Sequence, residues 1–304
     1  MSGRAHKSST PTRSGTIVAS FGRQTLVELA DGTTVACVRR GKRGELACGD
    51  RVAIAATAQG QGVIEALEAR VSLFYRSDIQ REKLIAANVT QIVIVLATAP
   101  AFHPELLDRC LAAAEHEKIR ALIALNKMDL AASPAALQSL EPYRALGYEV
   151  LPLAAKIDIA PLRAQLAGHV SVLVGQSGMG KSTIINRLLP DATARVGELS
   201  AALASGRHTT THARLYHLDR SSHIIDSPGL QEFGLHHFLP QDLEHAFVEF
   251  RPHLGHCKFN DCRHLSEPGC AITAAMQGGA IHPQRVASYR RLVTQLMRKP
   301  KRYA

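Results

Sequence analysis

Two stretches of this 304-residue chain carry residue types and spacings suited to phosphate chemistry. The first is GQSGMGKS, Gly175 to Ser182, which fits G-x-x-x-x-G-K-[ST]. An apolar strand-like run, VSVLVG, leads into it and a helical TIINRLL leads out. In that setting the glycines let the backbone bend so that N–H groups at a helix N-terminus cradle phosphate oxygens. Lys181 is placed to reach β- and γ-phosphates and Ser182 to offer a hydroxyl to Mg²⁺. Gln176, Ser177, Gly178, Met179, Gly180 and Thr183 complete the expected cradle. The second stretch is DSPG, Asp226 to Gly229, 44 residues beyond Ser182 at the end of the strand-like HIID. Asp226 is expected to hold Mg²⁺ through water, and the Gly229 N–H to meet a γ-phosphate. Alone, D-x-P-G is a weak signal; beside a phosphate loop it is a strong one.

Base choice points to NKMD, Asn126 to Asp129, at the end of the apolar ALIAL. The Asp129 carboxylate can accept from guanine N1–H and the exocyclic amine together, a donor pair that adenine lacks. Lys127 can lie over the ring and Asn126 can tie this loop to the phosphate loop. The expected nucleotide is therefore GTP or GDP rather than ATP. The order is unusual, because Asn126 precedes Gly175 by 49 residues, whereas ordinary GTPases place this element after the phosphate loop. Such a site still closes if all the loops gather at the carboxyl edge of one parallel sheet, since circular permutation changes connectivity and not that edge. A second base-side loop, the third loop of the site, is expected at Ala154-Ala155-Lys156, with Ala155 and Lys156 against the base. Ala154 stands where the usual triplet has Ser, so backbone groups would carry that contact.

Between Ser182 and Asp226 lies SGRHTTTHARLY (205–216), a polar Gly- and Thr-rich loop where a nucleotide-sensing switch belongs. One Thr hydroxyl there would complete the Mg²⁺ shell, with Thr210 the choice and Thr209 and Thr211 its rivals. After Gly229 comes Leu230, which cannot orient water as the Gln of many GTPases does. Hydrolysis should then be slow alone and depend on a partner or a substitute residue. His208 is the candidate substitute; a merely solvated imidazole is the alternative. Permutation also puts Asp226–Gly229 about ten residues ahead of the C-terminal region, so nucleotide state is expected to set that region's orientation.

A different chemistry is written at Cys257, Cys262, His264 and Cys270, spaced C-x4-C-x-H-x5-C. Three thiolates and one imidazole make a closed tetrahedral zinc set with no open position, hence a structural ion. Nearby His253 and His256 are surplus. Cys37, Cys48 and Cys110 lie among apolar neighbours and are expected to be small core residues.

The elements that must position these groups fall into three parts with a leading arm. Residues 1–14 are basic and polar without apolar period and read as a disordered arm. Residues 15–75 hold five short strand patterns (GTIVAS, TLVEL, TTVACV, DRVAIAA, GVIEAL), with a hairpin signal at Asp31-Gly32. That suits a closed barrel of the OB type, an RNA-binding fold. Its loop Arg39-Arg40-Gly41-Lys42-Arg43 is a candidate phosphate-backbone contact. Residues 76–237 alternate apolar strands (91–98, 121–126, 149–155, 170–175, 223–227) with helices such as PELLDRCLAAAEHEK, the pattern of a parallel sheet covered on both faces. Residues 238–304 form a small α-helical zinc-binding domain. Its last helix opens at Pro283 and carries a Val286, Tyr289, Leu292, Val293, Leu296 stripe expected to pack within that domain, before a basic tail.

Composition agrees with a multidomain α/β protein. Hydrophobic residues are 46% and charged residues 20%, which excludes global disorder and a disulfide scaffold. No apolar run is long enough to cross a bilayer, and the polar N-terminus is unlike a secretory signal, so a cytoplasmic location is expected. The net charge of +10 is uneven: +4 in 1–75, +1 in 76–240 and +5 in 241–304. Basic flanks around a neutral middle fit a protein that grips a polyanion.

Together, NKMD, GQSGMGKS, GRHTTT, DSPG and CKFNDCRHLSEPGCAI, after a barrel, resemble the circularly permuted, ribosome small subunit-dependent GTPases of the RsgA (YjeQ) family, over almost the whole chain. The resemblance implies GTP hydrolysis in late small-subunit maturation, stimulated by the subunit, with the small-subunit rRNA as partner and other assembly factors nearby. It assigns GTP contacts to Asn126, Lys127, Asp129 and Gly175–Thr183, and zinc to Cys257, Cys262, His264 and Cys270. Nothing in the sequence requires an oligomer, so a monomer is expected. Two alternatives are a GTP-binding RNA module with little catalysis, opposed by the intact Lys181, Ser182 and Asp226, and a P-loop ATPase or kinase, opposed by Asp129.

Overall fold

The computed structural model describes residues 12–21, 24–39, 45–58, 60–77, 82–190, 213–226, 235 and 237–298. The basic stretch 1–11, the loop 40–44, the switch residues 205–212 and the tail 299–304 lie outside them.

The barrel is built from β1 (Thr12–Phe21), β2 (Gln24–Leu29), β3 (Thr34–Arg39), β4 (Arg51–Ala58) and β5 (Gln61–Leu67). Pairing runs β1-β2-β3-β5-β4, and β4 returns to β1 with Thr12 opposite Ala55. β3 and β5 are parallel and the other pairs antiparallel, which is the five-stranded OB arrangement. Alternate residues point inward, so Ile17, Val27, Val35, Val52, Ile54 and Ile64 fill the interior. Closure needs glycine at position 15, where a Cβ would come 2.5 Å from Val27 Cγ1. The β2–β3 turn forms where the Asp31-Gly32 signal places it, and the Asp31 carboxylate accepts the Thr33 N–H at 2.9 Å. Strand β1 takes in Thr12, Arg13 and Ser14, which the sequence reading put in the arm. Arg13 pairs with Asp31 at 2.6 Å and Ser14 donates to Glu68 at 2.8 Å, so β-ladder pairing outweighs their polar composition.

A hairpin follows, β6 (Leu73–Ser77) with β7 (Glu82–Ala87). It belongs to the next domain rather than to the barrel, because Phe74, Ile85 and Ala86 are buried in that domain's core. The central sheet contains β8 (Gln91–Ala97), β9 (Arg120–Asn126), β10 (Glu149–Pro152), β11 (Val170–Val174), β12 (Arg214–His217) and β13 (His223–Asp226). Its order is β10-β9-β8-β11-β13-β12, parallel except for β12. Residues 214–216, read from sequence as the end of the switch loop, are thus an antiparallel strand. β12 also pairs with β1 through Ala19 and Arg214, joining barrel and sheet into one eleven-stranded surface.

All of β8 is buried, and it alternates between two layers. Val93, Val95 and Ala97 face α4 (Ala160–Leu166) and α5 (Lys181–Leu188). Ile92, Ile94 and Leu96 face α1 (Pro104–Glu117), with α2 (Ser133–Gln138) and α3 (Glu141–Ala145) on the same side. The C-terminal helices α6 (Pro240–Ala246), α7 (Ala271–Gln277) and α8 (Pro283–Met297), with a 3-10 turn at Val248–His253, sit on that second layer. The α8 stripe accordingly does not pack within a separate small domain only. Val286, Tyr289, Leu292 and Val293 share one core with Leu107, Cys110 and Leu111 of α1. An ion cluster fixes this contact: Arg285, 2% exposed, reaches Asp108 of α1 at 2.5 Å and Glu249 at 2.6 Å, and its guanidinium lies 4.3 Å from the Phe247 ring centre. Cys37, Cys48 and Cys110 are buried, as expected of core residues.

Candidate functional site

Three loops meet at the carboxyl edge of the sheet. Gly175 follows β11, and α5 begins at Lys181, so the phosphate loop spans a strand end and a helix N-terminus. Its glycines are required by space as well as by φ. A Cβ on Gly175 (φ 148°) would lie 2.3 Å from Val95 O, and one on Gly180 (φ 97°) would lie 2.3 Å from Asn126 Nδ2. Gly178 (φ 80°) abuts Pro100. Side chains at Gly175 and Gly180 would therefore collide with the β8 backbone and with Asn126.

Asn126, at the end of β9 and almost fully buried, joins the three loops. Its Nδ2 donates to Met179 O at 3.0 Å, and its Oδ1 accepts from Ala155 N at 3.1 Å. The expected tie from NKMD to the phosphate loop is thus made, and the same side chain also anchors the Ala154-Ala155-Lys156 turn. The Ala155 N–H is spent on Asn126. Met128 N donates to Leu153 O at 3.1 Å, and Ser133 Oγ to Lys127 O at 3.0 Å. Lys127 takes a left-handed φ of 63°, and its ammonium donates to Ala99 O. Asp129 and Lys156 are exposed.

Lys181 is half-buried, and its ammonium donates to the Gly175 and Gln176 carbonyls, the latter at 2.8 Å. Burial pulls its pKa below the ordinary lysine value, while the Asp226 carboxylate opposes that shift. Burial likewise pushes the Asp226 carboxyl up, with Lys181 opposing. The two charges stabilise each other less than burial costs them. That imbalance fits a site whose lysine and carboxylate are completed by phosphate and by Mg²⁺. Ser182 and Ser177 are exposed beside them, Gln176 and Thr183 partly so. Gly229, His208, Thr209, Thr210 and Thr211, with Leu230, lie outside the described residues.

Sequence reasoning missed the 99–103 segment after β8. Besides Ala99 and Pro100, it supplies the His103 N–H, which donates to Gln176 Oε1 at 3.1 Å. A residue run without phosphate-binding character gave no signal; only the sheet order brings it beside the phosphate loop.

The second cluster gathers Cys257, Cys262, His264 and Cys270, whose donor atoms lie within 4.8 Å of one another. His264 Nδ1 lies 3.5, 3.6 and 3.4 Å from the Cys257, Cys262 and Cys270 sulfurs. Three thiols and one imidazole this close together fit one tetrahedral zinc ion, and neither His253 nor His256 belongs to the set. Cys270 immediately precedes α7. Burial opposes its ionisation, yet hydrogen bonds from Thr273 and His264 bring the thiol down to about 7. The Ala271 N–H donates to Cys257 Sγ at 3.3 Å. Glu244 of α6 accepts from His264 Nε2 at 3.2 Å and so fixes the tautomer that turns Nδ1 inward. No spacing marks Glu244 in the sequence, since it sits on a separate helix.

The fold and these loops define a circularly permuted P-loop GTPase with a Cys3His centre. The chain belongs to the RsgA GTPase family, whose model matches residues 67–236. It is 54% identical over 97% of its length to "Small ribosomal subunit biogenesis GTPase RsgA" of Nitrosospira multiformis, covering 94% of that protein. It is 52% identical over 96% of its length to the protein of the same name from Nitrosomonas europaea, again covering 94%. Among solved structures, YjeQ from Thermotoga maritima matches with a TM-score of 0.75 and 28% identity over 95% of this chain and all of that one. YloQ, described as a circularly permuted GTPase, matches with a TM-score of 0.71 and 25% identity over 99% of this chain and all of that one. Among the described residues, no helix is long and apolar enough to cross a membrane.

Proposed function

We propose that this chain hydrolyses GTP to GDP and phosphate while bound to the small ribosomal subunit during its biogenesis, and that the subunit stimulates the reaction. The observation that carries the GTPase reading is the Asn126 bridge, which unites NKMD, the phosphate loop and the third loop at one sheet edge despite the permuted order. The ribosomal part rests on relatives named for small-subunit biogenesis and aligned over nearly the whole chain, and on the basic flanks.

Asp129 selects guanine, Lys127, Ala155 and Lys156 border the base, and residues 175–183 hold the phosphates. Lys181 neutralises charge on the β- and γ-phosphates. Ser182 and Asp226 would hold Mg²⁺, which supplies charge neutralisation at the transferring phosphoryl group, with Thr210 completing its shell. Gly229 meets the γ-phosphate, and His208 stands in for the water-orienting Gln that Leu230 lacks. The Cys3His set would hold a structural zinc. The barrel and the C-terminal basic residues contact rRNA, the protein acts as a cytoplasmic monomer, and other assembly factors share the subunit. Leu235 and Phe238, shortly after Asp226, are buried in the core that α1 shares with α8, which supports nucleotide-dependent orientation of the C-terminal helices.

Steady-state GTP hydrolysis with and without purified small subunits tests this reading. Strong stimulation by small but not large subunits, lost in Lys181→Ala, is the expected result. Unchanged slow turnover with small subunits would overturn the ribosomal part, and ATP competing as well as GTP would overturn the choice of base.

A further inference from the structure

We propose that His116, Glu117 and His237 form a second metal site, separate from the cysteine cluster, for a borderline first-row dication of the Zn²⁺ class. One ligand atom from each residue lies within 4.8 Å of the other two. His116 and Glu117 come from the last turn of α1, and His237 comes from the segment that leads from Asp226 to α6. The two imidazole centres are 6.0 Å apart at 63°, so the rings meet edge to face rather than stacked. That arrangement lets a nitrogen from each converge on one point.

The surroundings hold these groups in place. Phe238 lies 4.4 Å from the His116 ring centre and 4.8 Å from that of His237, and Tyr75 lies 4.6 Å from His237. An apolar wall of this kind limits ring rotation and strengthens electrostatic attraction to a cation. The Leu73 N–H donates to Glu117 Oε2 at 2.9 Å, a partner of the sort that orients a ligating carboxylate. The site also sits at the carboxyl end of a 14-residue helix, where the dipole favours positive charge.

Two imidazoles and a carboxylate favour Zn²⁺ or Co²⁺ over the harder Mg²⁺ or Ca²⁺. His116 is exposed, which leaves room for water to complete the shell. Without thiolates, the site should bind zinc more weakly than the Cys3His centre. A bound ion would pin the segment eleven residues beyond Asp226 to the end of α1, tying the phosphate-sensing loop to the helix on which the C-terminal helices rest.

The test uses tag-free, full-length protein with its cysteine centre already loaded with zinc, titrated with Co²⁺ by visible absorption and with Zn²⁺ by calorimetry. The expected result is one further equivalent whose Co²⁺ spectrum lacks thiolate charge-transfer bands. His116→Ala should weaken it at least about tenfold, and His237→Gln should do the same, with unfolding midpoints confirming that both variants fold. Absence of a further equivalent at millimolar metal overturns the proposal. So does a further equivalent that His116→Ala leaves unchanged, which would be dispersed binding to the other histidines of this 15-histidine chain.

Discussion

Replacing Asn126 with Ala removes a side chain that bonds to both neighbouring loops of the nucleotide site. Two hydrogen bonds are lost, to Met179 O at 3.0 Å and from Ala155 N at 3.1 Å. Each is worth about 1 kcal/mol net, and the partners left behind are buried, with Met179 and Ala155 each 1% exposed. Water cannot readily replace the lost partner, so the total comes to about 2–3 kcal/mol. If the bridge holds the phosphate loop and the base loops in their binding arrangement, that cost appears in nucleotide affinity. GDP should then bind roughly 30- to 150-fold more weakly. Fluorescent-GDP titration, paired with thermal unfolding of the apo protein, reads both quantities. A threefold or smaller change in affinity, in a variant that still folds, would refute the reasoning: the loops would then be ordered by the sheet alone.

Three other perturbations follow from the same geometry. Arg285→Ala should cost about 3–5 kcal/mol in urea unfolding, because it strands Asp108 and Glu249 as buried carboxylates; a loss under about 1 kcal/mol would mean that water reaches the cluster. Glu244→Gln should weaken zinc retention about 10- to 100-fold in chelator competition without touching a ligand, and unchanged retention would show that packing alone orients His264. The Asp226 carboxyl has a folded-state pKa raised by burial, so its favourable contribution is present below its unfolded pKa and is lost as pH rises through the folded one. Apo wild-type protein should therefore gain stability, relative to Asp226→Asn, as pH falls from neutral through that raised pKa towards the ordinary carboxylate range; parallel pH profiles would remove the argument.

Short-range spacing points to the chemistry. Gly175, Gly178, Gly180, Lys181 and Ser182 are a local unit, so their spacing carries a backbone shape whatever surrounds it. Asn126 with Asp129, and Cys257 with Cys262, His264 and Cys270, are readable for the same reason. The five barrel strands and the central parallel strands were legible too, because burial of alternate or of all residues leaves a period in the string. Tertiary structure decided what depends on distant partners. It made 214–217 a strand that joins barrel to sheet, drew Thr12–Ser14 into the barrel, and gave the β6–β7 hairpin to the central domain. It packed the α8 stripe onto α1, put Glu244 behind His264, and brought the 99–103 segment against the phosphate loop. None of these residues has a spacing of its own. Their roles arise from burial and hydrogen bonding across long sequence separations, as with the 177-position separation of Asp108 and Arg285, and such contacts become fixed only when the chain closes on its core.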